Sequence, residues 1–172
     1  ISASSGASIA SSGSFVANGD FLLSTPSLSA AKATSYSLSS TGDFELAKTG
    51  GTSTASSGLG ATLSLSGSSL EIGTDILLPS GSLEVIASTG SILVTGTLSA
   101  AGKANTFFDV TRYSDGGDIE LNAEAGSVNL AAGSLVSVAA PTGGGSAGRL
   151  TIKSPGGAFL NNGSLNGQGG TD

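Results

Sequence analysis

The stretch GSLEVIASTGSILVTGTLSA, residues 81–100, carries three short apolar runs: Leu83 with Val85, Ile92 with Val94, and Leu98. In the first two, apolar side chains sit at every second position, the period of a half-buried strand, and Ser, Thr and Gly between the runs supply corner chemistry. Three strands joined by three corners return the chain to a point above its start. A single such unit cannot bury its apolar face. About five apolar side chains contribute roughly 1.5–3 kcal/mol each, against ordering costs of about 1–2 kcal/mol for every residue of the unit. The unit must therefore stack on others like it.

It does recur. First-run positions are Phe15, Tyr36 with Leu38, Leu63 with Leu65, Leu83 with Val85, Ile119 with Leu121, and Leu150 with Ile152. Second-run pairs are Phe21/Leu23, Phe44/Leu46, Leu70/Ile72, Ile92/Val94, Val128/Leu130 and Ala158/Leu160. Third positions are Leu28, Ile76, Leu98, Leu135 and Leu165; in the second unit the third position is blurred within TGGTSTASSGLG. The doubled Gly-Asp-Phe-x-Leu at Gly19 and Gly42 is then one second strand written twice, Phe21 beneath Phe44 and Leu23 beneath Leu46. First-run anchors stand at 15, 36, 63, 83, 119 and 150, and the shortest regular spacing, 63 to 83, is 20 residues. Longer spacings predict insertions at about 51–58, 99–116 and 139–147 within a single domain spanning 1–172. Ile1, Ala3 and Ile9 fit an incomplete unit before the first full one.

The fold expected is all-β: a right-handed parallel β-solenoid, or β-helix, of triangular coils of about 20 residues, roughly six coils plus a partial one, on the order of 30 Å long. An antiparallel sandwich also uses many short strands. It would not repeat Leu, Val and Ile at matching places with the slack confined to particular corners.

Composition narrows the function. With 38% hydrophobic and only 10% charged residues, the 172-residue chain is too apolar for a disordered tail. It contains no His, Cys, Met or Trp, which excludes disulfides, thiolate or imidazole metal ligands, a Cys nucleophile and a His base. Net charge is −6 and the six Lys and Arg residues are scattered, so the basic stripe that nucleic acid requires is missing. No apolar run approaches the roughly 20 residues of a membrane-spanning helix, and no basic-then-apolar leader opens the chain. No cofactor is expected.

Stacking places distant residues in columns. On the first strand the outward column reads Ser37, Ser64, Glu84, Glu120, Thr151, so Glu84 and Glu120 become neighbours able to hold a cation, to share a proton, or simply to splay into solvent. Asp118 faces Arg149 one coil on, as a surface ion pair. On the second strand the outward column reads Leu22, Glu45, Glu71, Leu93, Asn129, Phe159. Asp115 and Asp118 around Gly116-Gly117 echo a calcium turn without the repeated nonapeptide that makes one. The segment SAAGKANTFFDVTRYSDGGD, 99–118, stands out: Asn105, Phe107, Phe108, Arg112 and Tyr113 form either a recognition loop on a rigid scaffold or a flap over an apolar face.

From Gly116 to Gly170, GGDIELNAEAGSVNLAAGSLVSVAAPTGGGSAGRLTIKSPGGAFLNNGSLNGQGG resembles the repeat region of filamentous-haemagglutinin-like exoproteins, the secreted partners of two-partner secretion in Gram-negative bacteria. Gly-Asp-Ile-x-Leu at 117–121 and Gly-Ser-Val-Asn-Leu-Ala-Ala-Gly-Ser at 126–134 carry the likeness, and the segment from Gly81 is a further copy. The resemblance implies a long β-helical shaft, export through an outer-membrane partner, a place outside or on the surface of a Gram-negative cell, and a role in adhesion, aggregation or biofilm. The family's amino-terminal Asn-Pro-Asn-Leu and Asn-Pro-Asn-Gly type motifs do not occur. The chain thus reads as a piece of shaft or as a short relative that assembles differently.

Three functions are in play. The leading one is a non-enzymatic shaft or repeating subunit of a surface fibre that associates end to end or forms part of a longer chain. The second is a module gripping a host or neighbour-cell glycan or protein through the 99–116 loop. A polysaccharide-acting β-helix enzyme is third, and would need paired carboxylates with a basic residue beside them.

Overall fold

The computed structural model describes residues 1–53 and 58–171, and residues 54–57 of the expected 51–58 insertion lie outside the described residues. The described chain is all-β, with no helix and three parallel sheets of six strands each. The first sheet holds β2 (Gly13–Ala17), β5 (Ser35–Ser40), β7 (Thr62–Gly67), β10 (Ser82–Ala87), β15 (Asp118–Ala123) and β18 (Arg149–Lys153). The second holds β3 (Phe21–Ser24), β6 (Phe44–Ala47), β8 (Leu70–Ile72), β11 (Ile92–Val94), β16 (Val128–Leu130) and β19 (Phe159–Asn161). The third holds β1 (Ala7–Ile9), β4 (Ser27–Ala30), β9 (Asp75–Leu77), β12 (Thr97–Ser99), β17 (Leu135–Ser137) and β20 (Ser164–Asn166). The chain visits these sheets in rotation, an arrangement compatible with a β-solenoid.

Register explains the sequence pattern. Leu63, Leu83, Ile119 and Leu150 stand in one column and Leu65, Val85, Leu121 and Ile152 in the next. Leu70, Ile92 and Val128 line the second sheet, and Ile76, Leu98 and Val136 the third. All of these point inward and, apart from Leu150 and Ile152 at one end, all are buried in a single continuous core. Phe21 beneath Phe44 and Leu23 beneath Leu46 hold as expected, with the two Phe rings 5.2 Å apart.

Three registers differ from the sequence reading. Phe15 pairs with Leu38 rather than Tyr36, because Gly13 stands opposite Tyr36. A Cβ on Gly13 would lie 3.1 Å from the Tyr36 ring, so the ring fills the space a side chain would have taken. Leu160 leaves the core stack: Phe159 pairs with Val128 and Leu160 with Asn129. The corner fixes this, since the Ala158 N–H donates to Ser127 Oγ at 3.0 Å and the Val128 N–H to Ala158 O at 3.0 Å. On the third sheet the residue facing Leu98 is Val136, not Leu135. The corner before it, which holds Gly133 at φ 86°, puts two more residues between Leu130 and Val136 than lie between their partners Val94 and Leu98, so the buried position falls on Val136.

The second round lacks a third-sheet strand among the described residues: β4 pairs directly with β9, so no third-sheet strand follows β6 before β7. The described residues on either side of 54–57 lie beside the two ends of β4 instead. Thr49 Oγ1 donates to Ala3 O, Gly51 packs on Ser4 and Pro26, and the Ala33 N–H donates to Leu59 O. All four residues of β4 are buried, unlike any other third-sheet strand. Thr25, wholly buried beside it, accepts the Ala7 N–H at 3.1 Å and donates to Ser27 O at 2.9 Å, while Thr74 Oγ1 donates to Thr25 O at 2.6 Å. By this detour β1 comes to lie level with β2 and β3.

Candidate functional site

The first sheet's outer face carries the acidic column. Glu84 and Glu120 are register neighbours as expected, yet each has its own partner. Ser64 Oγ donates to Glu84 Oε2 at 2.9 Å, and Lys153 Nζ lies 2.6 Å from Glu120 Oε1. Lys153 was not visible as a neighbour because its column is offset by two residues; its long side chain reaches across. Asp118 and Arg149 pair in register without forming an ion pair. The ion pairs among the described residues are Lys153–Glu120 and Lys48–Asp75. Thr62, Ser82, Glu84, Asp118, Arg149 and Thr151 line an open groove of about 320 Å³ on this face. Among the described residues no three carboxylates come together in a metal-holding group.

The 99–116 segment is a β-hairpin rather than a loop: β13 (Ala104–Phe107) and β14 (Val110–Tyr113) pair antiparallel across the two-residue turn Phe108-Asp109. It stands on a fixed base. The Ser114 N–H donates to Lys103 O at 2.9 Å, the Lys103 N–H to Ser114 Oγ at 2.8 Å, and Ser80 Oγ to Asp115 O at 2.7 Å. Asp115 Oδ1 accepts the Ser146 N–H at 2.7 Å, which ties the base to the 139–147 segment. The five candidates now separate. Tyr113 packs its ring on Gly143 and Gly144, where a Cβ on either glycine would be too close, and the rest of its side chain is exposed. Asn105 pairs with Arg112, and Phe107 with Val110, so by strand alternation these four share the opposite face of the ribbon.

Phe107, Phe108 and Val110 are exposed, Phe108 completely. Phe108 also has φ 55° at the first position of a two-residue hairpin turn, where glycine is favoured. A non-glycine residue there costs about 1–2 kcal/mol, and a fully exposed ring contributes no packing to offset it. Sequence reasoning selected Phe107 and Phe108 by residue type but missed Val110, which only the hairpin register brings beside Phe107.

Tyr113 on the hairpin is also exposed, and the remaining exposed large apolar side chains among the described residues lie at the two ends. Phe15, Val16 and Leu22 are on β2 and β3, with Ile1 beside them; Phe159, Leu160 and Leu165 are on β19 and β20. In the second sheet's outward column it is Leu160, not Phe159, that follows Leu93 and Asn129. Compared with known proteins, the chain matches no family, no curated protein and no solved structure.

Proposed function

We propose that this chain is a structural and adhesive protein outside the cell, the shaft or a repeating subunit of a bacterial surface fibre of the filamentous-haemagglutinin-like kind. In this reading it is a right-handed β-solenoid with triangular coils of about 20 residues, six coils and a partial one, exported through an outer-membrane partner and acting in adhesion, aggregation or biofilm. One observation carries it: apolar columns run in register through every level of the three parallel sheets, so the ordered feature of the molecule is its long axis. Electron microscopy of the purified chain tests the shape, and immunolabelling of intact source cells tests the location. Compact particles, or labelling confined to the cell interior, would overturn the reading.

A second reading has its own observation, the exposed hairpin with Phe108 in a conformation that favours glycine. Here the hairpin grips a glycan or protein of a host or neighbouring cell. Phe108→Ala and Arg112→Ala should each abolish cell binding with the circular dichroism spectrum unchanged. Unaltered binding by both variants would sink it. An enzymatic reading is weaker: Lys153 does supply a basic residue to the acidic column, but Glu84 and Glu120 are engaged by Ser64 and Lys153 on an open sheet face.

A further inference from the structure

We propose that two copies of this chain dock reciprocally through their hairpins: the Phe108 ring at the tip of one enters an apolar hollow beside the hairpin base of the other, and the same contact forms in reverse across a twofold axis. Such a dimer requires neither a fibre nor a foreign partner, so it stands apart from the shaft and recognition readings.

Knob and hollow belong to one chain yet cannot meet within it. Phe108 is completely exposed and held at φ 55°, so the turn presents a ring that packs on nothing in the single copy. Beside the base of the same hairpin lies a hollow of about 220 Å³, lined by Leu77, Leu78, Pro79, Ser99, Ala101 and Lys103. A cavity of about 150 Å³ with apolar walls takes up benzene, so this hollow has room for one phenyl ring. Phe108 lies five residues beyond Lys103 along an extended strand, roughly 17 Å away. The hydrogen bonds of Lys103, Ser114 and Ser80 fix the base, so the ring cannot fold back into its own hollow while β13 and β14 stay paired.

A second copy supplies both partners at once. A half-turn about an axis through the middle of the ribbon and perpendicular to it puts the tip of each hairpin at the base of the other, because the separation of tip and base is the same in both copies. The contact uses one surface twice and therefore closes at two copies. Charge favours this arrangement. Asp109 follows Phe108 in the turn and Lys103 lines the hollow, so seating the ring brings a carboxylate to an ammonium group on each side of the axis. A tip-to-tip pairing would instead bring the two Asp109 carboxylates together. Phe107 and Val110, exposed beside the ring, extend the apolar contact. The surface involved is small, so the dimer depends on concentration.

Sedimentation equilibrium of the unmodified chain, from micromolar to millimolar concentration, should show monomer passing to dimer and stopping there. Phe108→Ala, at a fully exposed ring, should weaken dimerisation at least about ten-fold, as loss of an aromatic anchor does. Asp109→Lys should weaken it too, and Asp109→Lys combined with Lys103→Asp should restore it. The chain has no cysteine, so disulfide trapping adds a geometric check. A disulfide needs Cα atoms about 4.4–6.8 Å apart, so a bond between positions 103 and 109 must join two copies. Lys103→Cys/Asp109→Cys, mildly oxidised, should give a dimer and nothing larger on a non-reducing gel, while each single variant stays monomeric. Circular dichroism of the reduced variants verifies folding. A parent that stays monomeric throughout, a Phe108→Ala dimer as tight as the parent, failure of the charge exchange to restore the dimer, or a disulfide dimer from Asp109→Cys alone would each overturn the proposal. A monomeric parent whose cell binding is lost in Phe108→Ala would end the reciprocal dimer and leave the recognition reading standing.

Discussion

Gly117 sits in a corner column with Gly81 and Gly148, and replacing it with alanine tests how tightly the levels are spaced. A Cβ there would lie 1.9 Å from Gly81 O and 2.7 Å from Gly81 N, where ordinary contact begins at 3.4 Å. Both groups are backbone, so relief requires separating two levels by roughly 1.5 Å rather than turning a side chain. The Gly81 carbonyl concerned accepts the Asp118 N–H at 2.9 Å, so a ladder bond is strained as well. Overpacking of about 1–3 kcal/mol plus about 1 kcal/mol for the hydrogen bond gives a loss of roughly 2–4 kcal/mol. For a chain of this size that lowers Tm by about 4–16 °C. The φ of Gly117 is not in the left-handed region, so the penalty is steric alone. Gly133, at φ 86° with nothing within 4 Å, is the counterpart: alanine there should cost about 1–2 kcal/mol through backbone strain alone. Thermal melts followed by far-ultraviolet circular dichroism decide the matter. A Gly117→Ala melt within about 2 °C of the parent, or one above that of Gly133→Ala, would refute the close-stacking argument.

Leu65→Ala, at a wholly buried site between Leu38 and Val85, should cost about 2–5 kcal/mol in urea unfolding, while Leu165→Ala in the last level costs far less in dilute solution. Thr25→Val removes the acceptor of the Ala7 N–H and the donor to Ser27 O in a dry site, so a loss of about 1–3 kcal/mol and faster amide exchange at Ala7 are expected. Lys153→Ala breaks an ion pair whose side chains are 54% and 36% exposed, and should change stability by less than about 1 kcal/mol in low salt. Phe108→Gly should raise stability by about 1 kcal/mol by relieving the turn, while removing any binding that depends on the ring.

Where one apolar residue stands alone at each alternate position, the sequence was sufficient. Leu63/Leu65 and Ile119/Leu121 have polar or small neighbours that leave only one parity for burial, Leu83/Val85 is set by Glu84 between them although Ile86 adjoins, and all three pairings came out as read. Where two apolar residues adjoin, parity is undecided. In Phe159-Leu160 and Leu135-Val136 the choice is made by the corner, through a hydrogen bond to Ser127 Oγ and a corner two residues longer at Gly133, and periodicity cannot see either. Phe15 and Tyr36 invited alignment as two aromatics, but the vacancy at Gly13 decided otherwise. The missing third strand of the second round was legible only as a blurred run, since its cause lies in β4, a segment displaced by one level. In the candidate site, residue type identified Phe107 and Phe108, but the hairpin separated them from Tyr113, and a long lysine reached a column to which it does not belong.

Exposed apolar surface on this molecule is not spread over its sides. The outer columns of the first sheet are largely Ser, Thr and charged residues, so that face offers little apolar contact. Large apolar side chains come to the surface at the two ends and on the hairpin, and these regions differ physically. At the ends Phe15, Phe159 and Leu165 stand in columns that are buried further along the stack, whereas Val16, Leu22 and Leu160 stand in outward columns. On the hairpin Phe108 belongs to no column, and its backbone is held where glycine would be easier. In the proposed reading that the hairpin grips a partner, recognition falls to a few residues at its tip, and tip variants should remove binding without altering the stacked columns.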